Sequence, residues 1–93
     1  MSSLSSAKTL LSAVVATGAS RSVQADAGQP AFLQVVGITT ATVAFQGSLD
    51  GTTFATIGTA LTADGIVTIA NAPKYLRANV TAWTSGTITA KVL

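Results

Sequence analysis

Two Asp-Gly pairs constrain this chain more than anything else in it. The first sits in Gln46-Gly47-Ser48-Leu49-Asp50-Gly51-Thr52-Thr53-Phe54-Ala55-Thr56-Ile57, where small and apolar residues run up to the pair and β-branched and aromatic residues follow it. The second is in Ala63-Asp64-Gly65-Ile66-Val67. Asp-Gly between two such runs is a strong short-range hairpin signal, because glycine supplies the positive φ that a tight turn requires. Both pairs are therefore expected to turn the chain between strands. They also commit two of the three aspartates to turns, and the chain has no glutamate, histidine or cysteine.

That inventory bounds the chemistry. General acid–base work is left to three aspartates, five Lys/Arg and one tyrosine, so few of the groups that usual catalytic constellations draw on remain. Without cysteine there is neither a disulfide framework nor a thiolate metal site, and without histidine a zinc or iron site lacks its commonest ligand. A calcium loop would need a second carboxylate at fixed spacing, which neither Asp50 nor Asp64 has nearby. A phosphate site at Lys74 and Arg77 would need glycine-rich backbone and a helix N-terminus. The expectation is a non-enzymatic protein with no cofactor and no metal.

The rest of the chain reads as short strands separated by turn formers. Residues 8–16, 21–25, 31–37, 42–48, 54–58, 66–70, 75–82 and 87–93 are strand candidates. Gly18-Ala19-Ser20, Asp26-Ala27-Gly28-Gln29-Pro30, Ile38-Thr39-Thr40, Asn71-Ala72-Pro73 and Ser85-Gly86 punctuate them. A helix competes only over residues 6–15, and Val14-Val15 followed by Thr17-Gly18 weighs against it. Strands at this spacing predict an all-β protein, a jelly-roll-like sandwich of about eight short antiparallel strands. With 93 residues it forms one domain, 17–93, preceded by an N-terminal arm or edge strand, 1–16. The expected core is Leu33, Val35, Val43, Phe45, Ile57, Val67, Ile69, Leu76, Val80, Ile88 and Val92.

Residues 10–16 resemble a short signal core, but the polar, uncharged start and the interruption at Ser12 favour a strand. No apolar run approaches the length of a membrane span. The net charge of +2 is too small and too scattered for a nucleic-acid partner.

Binding to protein is the remaining class. Only 9% of residues are charged, against about 25% in ordinary domains, and a surface of that kind repels neighbours weakly. In the strand after Pro73, alternation sends Leu76, Ala78, Val80 and Ala82 to one face and Tyr75, Arg77, Asn79, Thr81 and Trp83 to the other. Tyr, Trp and Arg dominate interface hot spots, so Tyr75, Arg77 and Trp83 are candidate protein contacts. The alternatives are sugar stacking, or Trp83 capping the end of the sandwich with Arg77 merely solvated. Lys8 and Leu10, in the N-terminal segment, are further contact candidates, since an uncharged segment is suited to adding to a sheet edge of its own chain or of a neighbour.

The order Val43-Ala44-Phe45-Gln46-Gly47-Ser48-Leu49-Asp50-Gly51-Thr52-Thr53-Phe54, Ala63-Asp64-Gly65, Ala72-Pro73-Lys74-Tyr75-Leu76-Arg77-Ala78-Asn79-Val80-Thr81 and Ser85-Gly86-Thr87-Ile88-Thr89 resembles small all-β structural proteins of tailed bacteriophages. Within them it is most similar to capsid decoration, or cement, proteins. The resemblance implies a virion protein on the outer surface of the capsid, bridging subunits of the major capsid protein. It also implies a homo-oligomer, a trimer first and a dimer second. Phage tail or baseplate modules and some carbohydrate-binding sandwiches share the same motif order and remain alternatives.

Overall fold

The computed structural model of the chain describes residues 8–25 and 27–93. All regular structure among them is β: β1 (Lys8–Val14), β2 (Gly18–Ala19), β3 (Val23–Gln24), β4 (Ala31–Ser48), β5 (Ala55–Leu61), β6 (Gly65–Ile69) and β7 (Tyr75–Val92). They form one seven-stranded antiparallel sheet.

Two strands dominate. β4 and β7 are 18 residues each and pair antiparallel along almost their whole length, from Leu33 opposite Val92 to Ser48 opposite Tyr75. The shorter strands line their free edges. β1, β2 and β3 follow one another along β7, facing Val92 to Ile88, Val80 to Asn79 and Leu76 to Tyr75. β5 and β6 follow one another along β4, facing Gly47 to Val43 and then Val35 to Ala31.

A flat 18-residue strand would reach about 60 Å, yet the longest dimension of the molecule is 40 Å. β4 and β7 therefore bend, and the bend lies where their register shifts, between Val36 and Val43. Gly37 (φ 89°) and Gly86 (φ 123°) sit there in conformations that disfavour a side chain. They also permit a close approach of backbones. A Cβ on Gly37 would come within 1.8 Å of the Thr87 carbonyl oxygen, and one on Gly86 within 2.6 Å of the Gly37 carbonyl oxygen. The buried side chains from both sides of the bend belong to a single core, including Leu33, Val35, Ile88 and Ala90 from one half and Val43, Phe45, Leu76 and Val80 from the other.

Of the expected core residues, nine are buried, and Ile57 and Val67 are half-buried against them. The expected breaks fare differently. Ser85-Gly86 is no turn, and residues 38–40 are no connector; both lie inside long strands, because a bulged strand keeps its ladder while absorbing an extra residue. Gly18-Ala19 likewise pairs with β7 rather than ending a strand.

The two Asp-Gly pairs also diverge. Asp50-Gly51 does close a hairpin, β4 to β5, but within a six-residue loop, 49–54, instead of a two-residue turn. Asp64-Gly65 closes none. β5 and β6 pair with the same edge of β4, so the chain continues in one direction past it. Asp64 spans the gap between them, its Oδ1 accepting a 2.8 Å hydrogen bond from the Ile38 backbone N–H.

Candidate contact surfaces

The corner where β4 ends and β7 begins holds two of the five expected contact residues. Asp50 organises it. Its Oδ1 accepts from the backbone N–H of Thr52 (2.8 Å) and Thr53 (3.0 Å) and from the Ser48 hydroxyl (2.8 Å). Ser48 Oγ in turn accepts from the N–H of Asp50 and Gly51. Hydrogen bonds from the Thr53 and Thr52 N–H groups and from Ser48 stabilise the charged form and lower the carboxyl from its ordinary 3.8 to about 2.

Tyr75 and Arg77 brace this loop from beneath. The Tyr75 ring lies against Gly51, where a Cβ would meet it at 3.3 Å. The Arg77 guanidinium stacks 4.1 Å from the Phe54 ring centroid, and its Nε donates a 2.7 Å hydrogen bond to Gln46 Oε1, its cross-strand neighbour. Lys74 Nζ lies 5.6 Å from the Tyr75 ring centroid. These side chains are half-buried within their own chain, with the exception of the exposed Lys74.

Trp83 does not join them. Between Val43–Val80 and Thr42–Ala82 the register gains one residue on β7, Thr81. One extra residue inverts the alternation beyond it. Ala82 is therefore exposed, while Trp83 pairs with the buried Ala41 and packs against the core. Its indole N–H donates a 3.0 Å hydrogen bond to the Gly86 carbonyl, which ties the ring to the bend.

The N-terminal candidates are placed by the same device. β1 pairs with β7 of its own chain, and register shifts on either side of Leu11 turn both Leu10 and Leu11 inward, to 6% and 4% exposure. Leu10 is thus a core residue and not a surface contact. Lys8 is exposed and its Nζ donates to the Gln24 carbonyl oxygen at 2.8 Å. Residues 1–7, the rest of the expected arm, lie outside the described residues.

Among the described residues a different surface is uncovered. On the outer face of β4, β6 and the end of β7, Phe32, Val36, Ile66 and Leu93 are 48%, 43%, 65% and 55% exposed. They are neighbours: Phe32 and Leu93 exchange backbone hydrogen bonds (3.0 and 2.9 Å), and Ile66 and Lys91 both pair with Gln34. Together with Gln34 and Lys91, three of them line a shallow depression of about 200 Å³. The signal for this patch is present in the sequence. Residues 31–36 are apolar on both faces except for Gln34, and a strand that packs on one face has only one side to hide them.

A larger open groove, about 630 Å³, runs between the Asp50 loop and residues 71–73, with Ala55, Ile57, Ile69 and Pro73 in its walls. Its one charged group, Asp50, is engaged by the loop. Among the described residues no three metal-ligating side chains gather anywhere.

Comparison of the chain with family models, with curated proteins and with solved structures finds no match to any of them.

Proposed function

We propose that this chain is a non-enzymatic structural protein of a tailed-phage virion, a jelly-roll sandwich that decorates the outer surface of the capsid and bridges neighbouring major capsid subunits as a homo-oligomer. The strand order supports the jelly-roll part. Divided at the bend, β4 and β7 each contribute two segments, which with β1, β2–β3, β5 and β6 makes eight. In chain order, one half of the sheet runs 1-8-3-6 and the other 2-7-4-5. Two four-stranded sheets so ordered around one core are the jelly-roll arrangement, which viral capsid proteins share with lectins and cupins.

Fold does not assign function, so the weight rests on the surface. The observation that carries the reading is the cluster of exposed apolar side chains at Phe32, Ile66 and Leu93, with Val36 beyond Gln34, on a molecule with so few charges. Such a face marks a protein contact. Asp50 and Asp64, the acidic groups within the described residues, both hold backbone N–H groups, which supports the non-enzymatic part. A sugar platform built on Tyr75 and Trp83 has no such support, since one ring lies under a loop and the other faces the core.

Co-sedimentation with capsid shells assembled from the major capsid protein of the same genome tests the reading. The expected result is saturable binding at a fixed ratio to capsid subunits, abolished by Phe32→Asp with Ile66→Asp. Absence of binding to intact shells overturns it.

A further inference from the structure

The two free edges of the sheet are unlike each other. The edge formed by β1, β2 and β3 carries Lys8 and Arg21. The edge formed by β5 and β6 is nearly bare: from Gly51 to Pro73 the only charged residue is Asp64, an exposed side chain just before β6 whose carboxylate accepts from the Ile38 N–H. Natural edge strands are ordinarily guarded by lysine, proline or inward charges, because an exposed row of N–H and C=O groups is a template for another strand. β6, Gly65-Ile66-Val67-Thr68-Ile69, has no such guard, and among the described residues it pairs only with β4. Exposed Ile66 and Phe32 stand beside it on the outer face.

We infer that β6 is a self-association edge, pairing antiparallel with β6 of a second copy about a two-fold axis through Val67. Three features select a second copy over another partner. The first is charge: β6 itself carries no charged side chain, and a two-fold through Val67 sets the preceding Asp64 opposite the mate's Ala70, so no like charges meet. The second is register. Pairing Val67 with its own mate sets Ile66 opposite the mate's Thr68 on the outer face, an apolar and β-branched pair, and sets Gly65 opposite the mate's Ile69 on the core face, small against large. The third is continuity. Both copies' Phe32 and Ile66 then line one outer face across the joint, so the apolar patch becomes a single surface spanning the dimer. The pairing requires no shell and stands independently of the virion reading.

Sedimentation velocity on the isolated chain at micromolar to submillimolar concentration, with circular dichroism to verify the fold, tests it. The wild-type chain is expected to sediment at twice the monomer mass. The variant carrying Ile66→Lys and Thr68→Lys places lysine against lysine at both cross-strand pairs. It is expected to be a folded monomer, because both positions are exposed in the single chain. The variant carrying Ile66→Lys and Thr68→Glu places lysine against glutamate in the proposed register, and is expected to recover the dimer. A wild-type monomer or trimer, a Lys/Lys variant that keeps the wild-type mass, or a Lys/Glu variant that stays monomeric as the Lys/Lys variant does, overturns the assignment.

Discussion

The same two strands, β4 and β7, are held in different ways at their middle and at their end. At the bend, around Gly37 and Gly86, the constraint is backbone against backbone, with no room for a methyl group on either glycine. At the corner, around Ser48 and Tyr75, it is side chain against loop: Asp50 and Ser48 cap residues 49–53, while Tyr75 and Arg77 support the loop from below. A close-packed backbone crossing has no alternative arrangement nearby, whereas a solvent-exposed loop can relax when one hydrogen bond is lost. The bend should therefore be the intolerant site and the corner the adjustable one.

The sharpest way to break this contrast is a single methyl group at the bend. Gly86→Ala and Gly37→Ala each force a Cβ into backbone atoms at positive φ and should cost about 3 kcal/mol or more, read as a lower urea midpoint. A cost within experimental error at either position would mean the bend is not held by the backbone.

A smaller effect is expected from Trp83→Phe. It keeps most of the ring packed against the core but removes the indole N–H that reaches the Gly86 carbonyl. A loss of about 1 kcal/mol is expected, with the half-buried site leaving water able to satisfy part of what is lost. An unchanged midpoint would show that the ring, and not its hydrogen bond, secures the bend.

The smallest effect belongs to the corner, and it depends on pH. Asp50 is held at about 2, below its ordinary 3.8, so the folded state favours the carboxylate. Its contribution is fully present above the unfolded value and is lost as pH falls through the window from 3.8 to about 2. Asp50→Asn should remove that acid-dependent component: the variant is expected to be less stable than wild type at neutral pH, with a flatter profile in acid and a difference that closes as pH falls toward 2. A variant whose acid profile matches wild type would assign the capping to other groups.

The contrast also marks where the sequence was readable. Strand content and most of the core followed from alternation, since Leu33, Val35, Leu76, Val80, Ile88 and Val92 are regularly spaced and buried as expected. The glycines misled at the bend. Gly37 and Gly86 look like terminators, yet a bulge with positive φ lets a strand turn a corner without leaving its ladder, and nothing local distinguishes the two cases. The extra residue at Thr81 then moved Trp83 from the face of Tyr75 and Arg77 to the core. Register shifts around Leu11 brought both Leu10 and Leu11 inside. A one-residue slip is a property of two strands together, so a single strand's periodicity cannot display it. Asp64 is the same lesson in a loop: Asp-Gly announces a turn residue, but the partner of its carboxylate, Ile38, lies 26 positions away.

Of the candidate contacts, Tyr75 and Arg77 support their own loop, and the apolar face uncovered among the described residues lies on the outward half of residues 31–36, whose inward half, with Leu33 and Val35, is core. That face is the basis of the functional proposal. The most direct measurement is a cryo-EM reconstruction of the virions whose genome, on the proposed reading, encodes this chain. The account predicts copies of this β-rich chain on the outer capsid surface, with the face bearing Phe32, Val36 and Ile66 seated against major capsid subunits. A shell without this chain, or with the chain confined to the tail, would contradict it.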